Sequence, residues 1–105
     1  MQPVTKAQVK RIEHRMKQCL NCGAFGAEYD HAIIYAGRQL TDDWAIQPLC
    51  TRCHRGENGT CNRKAKLKSM IQAIEMGIEA GAEMKYPKRN WKQTLIQYQN
   101  ELSTL

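Results

Sequence analysis

Cys19-x-x-Cys22 and Cys50-x-x-Cys53 each set two thiols at the spacing with which one tight turn grips one metal ion. Together the pairs supply the four soft ligands of a closed tetrahedral site, for which zinc is the expected ion. A single iron on paired knuckles, as in rubredoxin-like sites, is a rival reading, but it leaves the basic charge and the nearby histidines unexplained. "CTRCH" also fits the C-x-x-C-H haem-attachment pattern, which calls for an export signal. The opening "MQPVTKAQVKRIEHRMK" has no apolar core of the kind such a signal carries. A thioredoxin-type redox pair would need a βαβ context that the pattern does not provide. Cys61 is left over, as a free or buried thiol or as a stand-in for one of the four.

The pairs are separated by the 27 residues Gly23 to Leu49, more than a metal-finger loop needs. That segment carries Asp30 and His31, and His54 follows the last cysteine directly. These three suit a second and harder ion. Phosphodiester hydrolysis needs a water stripped of its proton and relief of charge on the phosphate. A neutral imidazole does the first near pH 7. A divalent cation on a carboxylate and one further ligand, with positions left open, does the second. Asp30 and His31 are adjacent in an expected strand, so their side chains leave on opposite faces unless the strand ends or twists there. His54, in a first helical turn, points about 100° round the axis from Cys53, a direction that can face the strands. Singly, Asp30 reads as a turn or cap residue and His54 as a polar residue closing the knuckle. It is their joint order that points to chemistry.

Thr5 and Gln8 form a capping-box pattern opening a helix to about Lys17, with Val9, Ile12 and Met16 on one face. Gly23 allows the first knuckle to turn. From Glu28 to Leu49 the helical period is lost: "HAIIYA" and "WAIQPL" read as short strands joined by an irregular loop, "GRQLTDD". A helix begins at about Cys50, is disturbed by the glycines of "RGENG", and resumes from about Arg63 to Ala80. Leu67, Ile71, Ile74 and Ile78 lie on its apolar face, and Gly81 is its stop. Asn90 caps a last helix carrying Trp91, Leu95, Tyr98 and Leu102 in register. Tyr35 and Trp44 read as packing residues.

With 105 residues the chain is expected to form one domain, and a core of that size benefits from a structural metal. Sixteen Lys+Arg against ten Asp+Glu give a net charge of +6. Zinc on four thiolates would lower it to about +4, so the basic character survives. Arg52, Arg55, Arg63, Lys64, Lys66 and Lys68 crowd the stretch after the second knuckle, opposed only by Glu57. With Arg38 in the loop, they are the candidate phosphate contacts to DNA; the plain alternative is a solvated helix face. No apolar run is long enough to span a membrane, and the cysteine usage reads as a reducing, cytoplasmic setting.

C-x-x-C, then "DH", then strand–loop–strand, then "PLCTRCH" resembles the HNH endonuclease family over Cys19 to about Arg55, roughly a third of the chain. "IYAGRQ" and "WAIQPLC" are similar to small HNH proteins of phages and prophages. The resemblance implies an α+β fold: a ββα-metal, treble-clef-like core with structural zinc over residues 19–62, a helix before it and a helical extension over 63–105. It also implies metal-dependent cleavage of DNA with one Mg²⁺ or Mn²⁺ per site. Asp30 would be the carboxylate ligand, His54 the second ligand of that ion and His31 the general base. Cys19, Cys22, Cys50 and Cys53 would hold zinc. A phage partner, such as a packaging or recombination protein, in the cytoplasm of a bacterial host belongs to the same implication. At the position of the family's Asn, which ties down the loop and orients the base, this chain has Ala45; Asp43 and Gln47 are the candidate substitutes. Two other functions fit the same residues: a zinc-stabilised DNA-binding module without chemistry, and a protein-interaction adaptor, which would lack salt-sensitive DNA binding.

Overall fold

The computed structural model describes residues 4–55 and 59–105, with the side chains of 59–62 left out. The expected glycine break at "RGENG", the opposing charge of Glu57 and the side chain of Cys61 therefore lie outside the described residues.

The described residues form an α+β fold of five α-helices and two small antiparallel sheets. Helix α1 (Lys6–Ile12) starts where Thr5 accepts a hydrogen bond from the Gln8 backbone N–H. The capping box is only half made. The Gln8 side chain turns inward, donating to the Thr41 carbonyl at 2.6 Å and to Asp43 Oδ1 at 2.9 Å. The α-helix is also shorter than expected, passing into a 3₁₀ turn over Glu13–Arg15. Ile12 and Met16 pack with Ile46 and Tyr29 in a small cluster.

Strands β1 (Glu28–His31) and β4 (Ile46–Leu49) pair antiparallel, with Asp30 opposite Gln47 and His31 opposite Ile46. The short strand expected over "HAIIYA" is divided: β1 stops at His31 and a separate hairpin follows. Its strands are β2 (Ile34–Tyr35) and β3 (Arg38–Gln39), turned through Ala36 and Gly37 at φ 53° and 78°. Two consecutive left-handed residues make the tight turn that matches the twist of a two-residue hairpin. A 3₁₀ turn, Asp43–Ala45, leads into β4.

Helix α2 (Thr51–Arg55) begins immediately after Cys50, and α3 (Gly59–Glu79) crosses β4, α2 and the Asp43–Ala45 turn. Its buried face only partly follows the Leu/Ile stripe the sequence suggests. Leu67 and Ile74 are buried, but Ile71 and Ile78 are only half-buried, and Ala65, Ser69, Met70, Ala73 and Gly77 go inside instead. Small residues let α3 approach closely. A Cβ on Gly77 would lie 2.6 Å from Cε3 of Trp44. Trp44 has no room to retreat, being edge-on to Trp91 with ring centroids 5.7 Å apart. Gly77→Ala should therefore lose about 1–3 kcal/mol to overpacking against about 1 kcal/mol of helix propensity gained. Thermal denaturation should show a lower Tm; an unchanged one would mean that the ring gives way.

Gly81, at φ 95°, ends α3 and leads into α4 (Ala82–Lys85). Asn90 Oδ1 accepts from the Gln93 N–H and caps α5 (Trp91–Ser103), as its position predicts. Trp91, Leu95, Tyr98 and Leu102 all pack on the main cluster, so the C-terminal helices share one core with Ile33, Leu40 and Trp44 of the loop. No helix among the described residues is long and apolar enough to cross a membrane.

Candidate metal centres

The four-cysteine cluster forms where two turns meet at the end of the β1–β4 pair. In the first, residues 18–25 fold back on themselves. Gln18 bridges Phe25, the Cys19 N–H donates to the Ala24 carbonyl, and the Gly23 N–H donates to the Cys19 carbonyl. Gly23 takes φ 79°, which this turn needs and side chains resist. The Leu20 N–H reaches the Pro48 carbonyl at 3.0 Å, docking the turn onto β4 just before Cys50. The second turn is the start of α2, where the His54 N–H donates to the Cys50 carbonyl.

The four Sγ atoms lie within 4.8 Å of one another, with Cys22 and Cys50 at 3.6 Å. Four sulfurs about 2.3 Å from a tetrahedral ion are about 3.8 Å apart, so the cluster fits one ion such as zinc. The polarity around the sulfurs is uneven. Burial works to raise the Cys19 thiol, but backbone hydrogen bonds from Cys50, Cys22 and Asn21 outweigh it and bring it down to about 6. Burial pushes the Cys53 thiol up to about 12, against a hydrogen bond from Asn21 Nδ2 at 3.3 Å. Asn21, inside the first C-x-x-C, is a contact the cysteine spacing alone does not announce.

The second group is assembled by β1, α2 and α3. Glu28 and Asp30, two apart on β1, leave on one face, and both meet His54: Nδ1 is 2.8 Å from Glu28 Oε1 and Nε2 is 3.2 Å from Asp30 Oδ1. His54 thus turns towards the strands, as its helical position allows. Glu28 is a residue sequence reasoning missed. The hydrogen bond from His54 holds its carboxyl below the usual value, so it is an ionised acceptor and Nδ1 must be the donor. A neutral His54 then turns its Nε2 lone pair at the Asp30 carboxylate. Two acceptors 3.2 Å apart repel unless a proton or a metal cation lies between them. Two cis donors on one octahedral ion at 2.0–2.1 Å are about 3 Å apart, so the pair fits a divalent ion as well as a proton. The carboxylate–imidazole–metal relay would be completed by Glu28. Glu28→Gln should weaken Mn²⁺ binding about 10–100-fold, read by titration of the zinc-loaded protein.

Asp30 is almost wholly buried, at 2 % exposure. Besides His54 it accepts from Ser69 Oγ at 2.6 Å and pairs with Lys66 Nζ at 3.0 and 3.1 Å. His31 is buried as well, and neither of its ring nitrogens has a hydrogen-bonding partner among the described residues. Burial holds its imidazole below the ordinary value, opposed by the Asp30 charge, so the ring is neutral at pH 7.

Ala45 is fully buried, and its carbonyl accepts from the Ala32 N–H, extending the β1–β4 ladder by one rung. Asp43 and Ala45 lie in the 3₁₀ turn, not on a strand, so alternation does not put them on one face with Gln47. The Asp43 carboxylate turns away to Gln8 and Arg11. Gln47 stays on the loop: its Nε2 donates to the Trp44 carbonyl at 2.9 Å, and its Oε1 accepts from Gln72 at 2.7 Å. Arg15, a residue the sequence did not single out, donates to the Ile46 carbonyl at 2.7 Å and to the Asp43 carbonyl.

The basic stretch is less free than its local sequence suggests. Arg63 is paired with Glu101 at 2.5 Å, Arg55 with Glu28 at 3.2 Å and Lys66 with Asp30. Reading Glu57 as the only opposing charge is corrected by acids brought in from far along the chain, up to 38 residues away for Glu101. Arg52, Lys64 and Arg38 are exposed and Lys68 is half-buried. No family model, no curated protein and no solved structure matches this chain.

Proposed function

We propose that the protein is a metal-dependent DNA endonuclease built on a ββα-metal core like that of the HNH family, with zinc in the thiolate site. One observation carries the reading: Asp30 Oδ1 and His54 Nε2 face each other at 3.2 Å, with Glu28 fixing the imidazole from behind. A Mg²⁺ or Mn²⁺ ion held by Asp30 and His54 would supply charge relief on the phosphate and the leaving oxygen. His31, kept neutral by burial, takes the proton of the attacking water. Gln47 and Arg15 hold the loop carbonyls in the role for which the family uses Asn. Arg38, Arg52, Lys64 and Lys68 offer charge to the DNA backbone. The test is supercoiled plasmid incubated with zinc-loaded protein and Mg²⁺, Mn²⁺ or chelator; nicking that needs the divalent ion is the expected result.

Three observations favour a second reading, a zinc-stabilised DNA-binding module that does not cut: the Lys66 charge on Asp30, the buried His31 nitrogens and Ala45 in place of Asn. That module would leave plasmid intact with either ion while still binding DNA in a salt-sensitive way.

A further inference from the structure

Both oxygens of the Asp30 carboxylate are closely surrounded. Its Oδ1 faces His54 Nε2 at 3.2 Å and Lys66 Nζ at 3.0 Å; its Oδ2 faces Lys66 Nζ at 3.1 Å and Ser69 Oγ at 2.6 Å. Lys66 and Ser69 stand three residues apart on α3, so both reach the same point of β1. Of the three partners only Lys66 has an easy exit. Its side chain is 34 % exposed against 20 % for His54, and Ser69 is fully buried. Lysine is also a compact point charge on a flexible stem, able to stand in for an ion and to swing away.

We propose that Lys66 is the built-in counter-cation of this site: it neutralises Asp30 in the absence of a divalent ion and yields its place when one binds. The inference rests on the reading of Asp30 and His54 as ligands of such an ion. An anion this deeply buried needs a paired positive charge, and Lys66 meets that need until the ion takes over. The ion must then compete with a resident charge, so the wild-type chain binds it more weakly than the same ligands would alone. Lys66 is here a positioning residue for the ion and not a phosphate contact.

The probe is Mn²⁺ titrated into the zinc-loaded full chain, followed by calorimetry and by the electron spin resonance of free Mn²⁺. Lys66→Gln should bind Mn²⁺ on the order of tenfold more tightly than wild type, the effect of removing one charge-assisted contact. Lys66→Arg, which keeps the charge, should not. A measurement on the unaltered protein covers the case in which Lys66→Gln fails to fold. Acetylation of Lys66 by a water-soluble anhydride, read by mass spectrometry, should rise several-fold when Mn²⁺ is added, while that of exposed Lys64 stays constant. Equal Mn²⁺ affinity in wild type and Lys66→Gln, or Lys66 labelling that Mn²⁺ leaves unchanged, would overturn the counter-cation and leave the metal reading standing. No Mn²⁺ binding by any of the proteins would overturn both.

Discussion

Cys53→Ser, or removal of the ion by a strong chelator, should unfold the thiolate end of the molecule and lower the Tm by tens of degrees. The local core explains why. Around the first turn the buried cluster consists of Cys19, Leu49, Cys53 and Ala65, with Leu20 and Cys50 packed against it, so the ligands are themselves the core. Among the described residues, 18–25 are joined to the remainder by isolated contacts such as those from Leu20 to Pro48 and from Asn21 to Cys53. A structural zinc contributes about 10–16 kcal/mol at pH 7, as much as a domain's whole net stability of about 5–15 kcal/mol. The pH dependence has a defined sign. With the Cys53 thiol pushed up to about 12, the ion must displace a proton at neutral pH. Binding therefore releases protons and weakens as pH falls. Native mass spectrometry and circular dichroism melts check both points: one Zn²⁺ per chain, lost together with the cooperative transition on acidification. A metal-free chain melting at the same temperature would show that the cysteines are only packed thiols.

What the sequence made legible was local. Thr5 and Asn90 mark helix starts because a cap acts within one turn, and both do so here. The paired C-x-x-C and the adjacent "DH" are readable for the same reason: each is a spacing of a few residues, whereas the register that sets Asp30 opposite Gln47 and Glu28 opposite Leu49, next to Cys50, belongs to the fold. The missed features are all products of the tertiary fold. Glu28 matters because Leu49 lies across from it and α2 starts just beyond. Lys66 and Ser69 matter because α3 passes over Asp30, 36 and 39 residues away in the chain. The buried stripe of α3 is only partly legible because apolar periodicity counts leucines and isoleucines. Here Gly77 and Ala73 let the helix close on Trp44 and the surrounding core, leaving Ile71 and Ile78 half-exposed.

His31→Leu should abolish cleavage and yet raise stability, and that opposition separates a working residue from a packing one. Two buried ring nitrogens lacking partners among the described residues cost on the order of 1–3 kcal/mol each in desolvation. Leucine fills similar space without that cost, so Tm should rise by several degrees. Loss of a general base removes about 10²–10⁴ of the rate, so plasmid nicking in Mg²⁺ or Mn²⁺ should fall below detection. DNA affinity should be unchanged, because no phosphate-binding charge is removed. The pH profile adds a second signature. Burial lowers the imidazole from its ordinary 6.5; as pH falls through that value the unfolded chain takes up a proton before the folded one does, and stability declines towards the depressed folded value. His31→Leu should flatten that acid-side decline. On the proposed mechanism, with neutral His31 as the base, cleavage by wild type should hold steady below pH 6.5 and fail only once the buried imidazole is protonated. A His31→Leu protein that is less stable than wild type and still nicks DNA would assign His31 to the core. Catalysis would then have to be sought elsewhere or given up.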